Sequence, residues 1–145
     1  MTVYTIGFTQ KTAEQFFELI RSRGIQLLID IRLNNSSQLA GFSKGNDLKY
    51  FLSAICACDY AYMAEFAPTK ELMEGYKDKK ISWKEYEEGY SSLIKSRGCL
   101  DELLELCKRH KNICLLCSEA AAANCHRRVL ADMLASKSKV TVEHL

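Results

Sequence analysis

The stretch "IQLLIDI" (residues 25–31) decides how this chain folds. Apolar residues run through it almost without interruption, as in a strand covered on both faces. "NICLLC" (112–117) has the same character. Such strands belong to parallel sheets, because the crossovers lay helices on each side. The segments around these two agree. "TVYTI" (2–6) reads as a strand ending at Gly7, "YAYM" (60–63) as a short strand and "KVTVEHL" (139–145) as the last one. "TAEQFFELIRSRG" (12–24) reads as a helix. Phe16, Phe17, Leu19 and Ile20 face inward, Thr12 caps it and Gly24 stops it. A further helix, "LKYFLSAIC", is expected to be capped by Asp47. From Pro68 to Arg109 the chain reads as helical, with "SWKEYEEGYSSLIKS" (82–96) and "CLDELLELCKRH" (99–110) as its main pieces. "CHRRVLADMLASK" (125–137) is the last helix, and "NNSSQLAGFSKGN" (34–46) is a long loop of turn formers. Strands alternating with helices predict an α/β fold: a mostly parallel sheet with helices on both faces, in a single domain over 1–145.

Composition narrows the function classes. The 145 residues carry a formal charge of +2. That balance gives no support to a nucleic-acid partner and none to a membrane surface. "MTVYTIGFTQ" has neither the basic start nor the apolar run of a secretion signal. Seven cysteines without such a signal read as reduced thiols, and the expected location is cytoplasmic. Most of them suit a core. Cys56 and Cys58 are separated by one residue, a poor match to metal or redox spacings. Trp83, Tyr86 and Tyr90 read as a core stripe rather than as a platform for stacking bases.

Ligands in such folds bind just beyond the carboxyl ends of the strands. Gly7-Phe8-Thr9, Asp30-Ile31-Arg32, Cys117-Ser118-Glu119 and Glu143-His144 all fall there. "CLLCSEAAAANCHRR" (114–128) concentrates the chemistry. Asn124 is expected to cap the last helix, putting Cys125, His126 and Arg127 in its first turn. Unsatisfied amides and the macrodipole favour an anion at that point, and a thiol there is acidified. Arg127 and Arg128 oppose the dipole, which points to an anionic ligand held by arginine forks. A carboxylate beside Cys117 should oppose its ionisation, so Cys125 is expected to be the more reactive thiol. Glu119 then suits a general acid or base, or a partner of Arg32 or Arg127.

The segments "YTIGFT" (4–9), "LLIDIRLNNSS" (27–37), "GFSK" (41–44) and "CSEAAAANCHRRVLA" (117–131) resemble the domain-of-unknown-function family 488. The most specific element is Cys-x-Glu followed by Cys-His-Arg. The resemblance covers nearly the whole chain and implies a shared site of Cys117, Glu119, Cys125, His126 and Arg127, with Asp30 and Arg32 from the second strand. It implies no settled activity. A histidine common after the first glycine of that family is Phe8 here, followed by Thr9. "LLIDIR" is also similar to a strand of rhodanese-type sulfurtransferases. The short loop of amides that those domains wrap around one cysteine is not evident, since seven residues, four of them consecutive alanines, separate Cys117 from Cys125.

A metal site of Cys117, Cys125 and His126, with His144 as fourth donor, is the third reading. Adjacent side chains on a helix diverge by about a quarter turn or more, which argues against a structural zinc site and leaves a catalytic ion open. The site is therefore assigned with no metal and no named cofactor. Glu119, His126 and Cys117 are the catalytic candidates. Arg32, Asp30, Arg127, Cys125, Thr9 and His144 are the ligand-binding ones. The expected function is binding of a small anionic ligand such as a phosphate-bearing nucleotide or nucleic-acid fragment, with turnover left open. The alternatives are a non-enzymatic interaction module sensing redox state or metal, and rhodanese-like sulfur transfer.

Overall fold

The computed structural model describes residues 1–36 and 40–145. Ser37, Gln38 and Leu39, inside the expected 34–46 loop, lie outside the described residues, and with them the last residue of "LLIDIRLNNSS". Among the described residues, five strands form one sheet: β1 (Thr2–Gly7), β2 (Leu27–Asp30), β3 (Asp59–Tyr62), β4 (Asn112–Cys117) and β5 (Thr141–His144). Their order is β3-β2-β4-β1-β5, and every pairing is parallel. The α/β reading holds. β4 lies at the centre and is buried from Ile113 to Cys117, which is why its sequence shows no alternation.

The helices are α1 (Ala13–Ser22), α2 (Gly45–Cys56), α3 (Lys70–Lys77), α4 (Trp83–Arg97), α5 (Leu100–Arg109) and α6 (His126–Lys137). α1 starts on a reciprocal cap, in which Thr12 accepts from the Gln15 N–H and the Gln15 side chain accepts from the Thr12 N–H. Ser82 caps α4 by accepting from the Glu85 N–H, and Gly98 ends it at φ 63°, a left-handed conformation that glycine adopts without strain. Asp47 does not cap α2. It falls in the first turn, and the cap position is Lys44, whose side chain makes no capping bond.

Direction reverses in the middle of the sheet. β1 and β2 lead leftward to β2 and β3, whereas β3 and β4 lead rightward to β4 and β5. With right-handed crossovers, the two directions put their helices on opposite faces. One apolar cluster joins α1 and α2 to Tyr4, Ile6, Leu28, Cys114 and Leu116. The other joins α4, α5 and α6 to Val3, Leu27, Ile29, Ile113 and Leu115. Each fully buried aliphatic or aromatic side chain in these clusters contributes about 1.5–3 kcal/mol. The alternation also sorts the polar residues. Asp30 shares its face with Leu28, toward α1 and α2, while Cys117 and Thr5 share theirs with Leu115 and Val3, toward α6. Among the described residues, no helix is long and apolar enough to cross a membrane.

Candidate functional site

Three donor groups converge where β4 hands over to α6. Cys117 ends β4, opposite Gly7 in register. The chain then turns through 118–125 before α6 begins. Asn124 is not the cap of that helix. A hydrogen bond from the Cys125 N–H to the Ala122 carbonyl (3.1 Å) closes a turn, and Cys125 itself stands at the cap position in extended conformation, φ −137° and ψ 141°. Cys125 is thus outside the helix, and its side chain does not follow the helical rotation. That removes the divergence expected between it and His126. The donor atoms of Cys117, Cys125 and His126 all lie within 4.8 Å of one another.

The histidine is oriented by the sheet. His126 Nε2 lies 2.9 Å from the carbonyl oxygen of Ile31. A carbonyl can only accept, so Nε2 carries the hydrogen and donates it. In the neutral ring Nδ1 is therefore a lone pair, and it faces Cys117 Sγ at 3.6 Å and Cys125 Sγ at 4.0 Å. The ring of Tyr90 packs 5.4 Å from the imidazole, and its hydroxyl donates to the Phe66 carbonyl at 2.7 Å. Cys117, Cys125 and His126 keep only 5%, 3% and 6% exposure, so approach is limited to small reagents.

The two thiols differ. The Cys125 thiol, donating toward the Cys117 sulfur, lowers the Cys117 pKa more than burial raises it, and the Glu119 N–H and the Arg127 charge add to the lowering. The same contact with Cys117, followed by burial, pushes Cys125 up. This reverses the expected order, because the contact between the two sulfurs favours the thiolate on Cys117 and disfavours it on Cys125, whose side chain makes no capping bond to the helix. Tyr86 is raised by burial first and then by Cys117, Cys125 and Glu119, which places its phenol in their field.

Arg127 is buried completely and holds the loop. Nη1 donates to the Glu119 carbonyl, Nη2 to the Ala120 carbonyl at 3.2 Å and Nε to Thr5 Oγ1 at 3.4 Å. Gly7 is required beside this latch, since a Cβ there would collide with the Glu119 carbonyl. The Glu119 side chain itself is exposed. Thr9 ties the neighbouring loop to the same turn, donating to the Ser118 carbonyl from its hydroxyl at 2.7 Å and its N–H at 3.2 Å. Thr5 Oγ1 also lies 2.7 Å from His144 Nδ1. His144 is therefore engaged at the β1–β5 edge and is not part of the cysteine cluster. Arg128 pairs with Glu87 at 3.1 Å and Asp132 at 2.7 Å, joining α6 to α4.

Asp30 and Arg32 form a second cluster on the other side of the sheet. Arg32 Nε and Nη2 donate to the two Asp30 oxygens at 2.8 and 2.7 Å, and Nη2 also reaches the Ser43 carbonyl at 2.7 Å. The guanidinium lies over the Phe8 ring at 5.3 Å. Tyr60 donates to Asp30 at 2.6 Å and accepts from Asn35 at 3.2 Å. Arg32 Nη1 is buried without a hydrogen-bond partner among the described residues. The expected single pocket is thus two sites, because strand alternation sends Asp30 and Cys117 to opposite faces.

Thr5, Gly7, Tyr60 and Tyr90 were not marked by the sequence as site residues. A threonine inside the apolar run of β1 was a usable signal; Tyr90 carried none, being one more aromatic on a core stripe. A family model described as "Domain of unknown function DUF488" matches residues 12–134, and the chain belongs to that family. No curated protein and no solved structure matches the chain.

Proposed function

We propose that this member of the family acts through Cys117 and Cys125 as a dithiol centre that exchanges with small disulfides, with His126 as proton acceptor. The observation that carries the reading is the His126 Nδ1 lone pair facing both sulfurs. Cys117 passes its proton to His126 Nδ1 and attacks one sulfur of the disulfide, forming a mixed disulfide, and the released thiolate takes the proton from Nδ1. Cys125 then passes its proton to the freed Nδ1, attacks the Cys117 sulfur and closes the protein disulfide, and the second released thiolate takes that proton. The protein loses two electrons and two protons, and the substrate becomes two thiols. Hydroxyethyl disulfide, small enough to approach the site, and peptide mapping test this. The expected product is a Cys117–Cys125 link in the wild type and a trapped mixed disulfide on Cys117 in Cys125→Ser. A mixed disulfide on Cys56 with Cys117 untouched overturns the reading.

A small anionic ligand is the second reading, and the unpartnered Nη1 of Arg32 favours it. Arg127 adds little to it directly, as its N–H groups already serve carbonyls. Phosphate and a nucleotide panel in a thermal-shift assay are its test. A rise in Tm that Arg32→Lys removes supports it; a Tm indifferent to the whole panel ends it.

A further inference from the structure

We propose that Cys117, Cys125 and His126 also form a binding site for one thiophilic divalent ion of the zinc class, with three protein donors and an open fourth position. The proposal rests on the dithiol reading in one respect: both need reduced sulfurs converging on Nδ1.

Donor spacing is the first argument. An ion about 2.3 Å from sulfur and about 2.0–2.1 Å from nitrogen in tetrahedral geometry holds the two donors about 3.6 Å apart, and two sulfurs about 3.8 Å apart. Cys117 Sγ to His126 Nδ1 is 3.6 Å, and Cys125 Sγ to Nδ1 is 4.0 Å. The third separation is within 4.8 Å. Cys125 is the donor that must close in, and its extended conformation at the cap position sets its side chain outside the helical rotation.

The second argument is the outer contact. Histidines that ligate metals donate their other ring N–H to a carbonyl or carboxylate, which fixes both tautomer and ring plane. The Ile31 carbonyl does this at 2.9 Å, and Tyr90 packs against the ring. The third is charge. Two thiolates and a neutral imidazole match a doubly charged ion, and this donor set suits zinc rather than magnesium or calcium. Three protein ligands leave one position for water or an incoming ligand. No fourth His, Cys, Asp or Glu joins the cluster among the described residues.

Cobalt(II) and zinc titrations of the reduced chain test the site. One equivalent of cobalt should give sulfur-to-cobalt charge-transfer and tetrahedral d–d absorption, and one equivalent of zinc should bleach both. Zinc should raise Tm, and further with the logarithm of free zinc above its Kd, because it binds only the folded arrangement. Cys125→Ser and His126→Gln should lose these bands and the Tm rise; Cys107→Ser should keep them. Circular dichroism checks that each variant is folded, and a misfolded Cys125→Ser is replaced by Cys117→Ser. Absence of cobalt bands in the wild type, or bands that persist in both Cys125→Ser and His126→Gln, overturns the proposal. The two readings fail separately: disulfide exchange without metal binding removes only the ion, and metal binding without exchange removes only the dithiol chemistry.

Discussion

Arg32 and Arg127 sit at the same edge of the sheet, both buried, on opposite faces, and they are neutralised differently. Arg32 is 2% exposed and forks onto Asp30, itself fully buried. Burial is the largest influence on Arg32 and disfavours its charge, yet Asp30 and Tyr60 together raise its pKa. Arg127 is 0% exposed and has no carboxylate within ion-pair distance among the described residues. Carbonyl oxygens and a hydroxyl surround it instead. A guanidinium tolerates this because it is weakly hydrated and offers five donors in fixed directions. Arg32 fastens the loop after β2 to the strand through Asp30 and Ser43 and leaves no net charge. Arg127 fastens the loop after β4 and leaves its positive charge within reach of Cys117, whose ionised form it favours.

The largest effect should come from breaking the compensated pair. Asp30→Asn leaves Arg32 buried without its counter-charge, and denaturant unfolding should show a loss of about 3–5 kcal/mol. Asp30→Leu combined with Arg32→Met should recover most of that loss, since apolar replacement of a buried pair is often close to neutral. A loss under about 1 kcal/mol for Asp30→Asn would mean water reaches the pair.

Arg127→Met should cost less, about 2 kcal/mol, because the lost hydrogen bonds are offset by removal of a buried charge. It should also slow alkylation of Cys117 by iodoacetamide at fixed pH, while Asp30→Asn leaves that rate alone. An unchanged rate in Arg127→Met would sever the link between the latch and the thiol.

The smallest effect is at His144. Burial first, and then Arg127 and Arg128, lower its pKa, with Asp132 opposing. A depressed histidine stabilises the fold in its neutral form. That contribution is full above the unfolded value of about 6.5 and is lost as pH falls below it through the lower folded value. His144→Gln should flatten this part of the stability–pH curve, and Arg127→Met should flatten it partly. A curve that keeps its slope in both variants would show that another group titrates.

The periodicities of "IQLLIDI", "NICLLC" and the helical segments were enough for the α/β class, and the crowding of Cys117, Glu119, Cys125, His126 and Arg127 pointed to the end of β4, where the donor atoms of Cys117, Cys125 and His126 meet. Two decisions lay outside the sequence. Strands covered on both faces are apolar at every position, so no pattern says which parity of residues faces which helices; Asp30 and Cys117 were separated only by the packing of the sheet. The meeting of Cys125 with His126 depended on one pair of backbone angles. Neighbours in sequence diverge on a helix and can converge at its cap, and whether Cys125 belonged to one or the other was decided by the 122–125 turn and by the loop that Arg127 pins against the sheet.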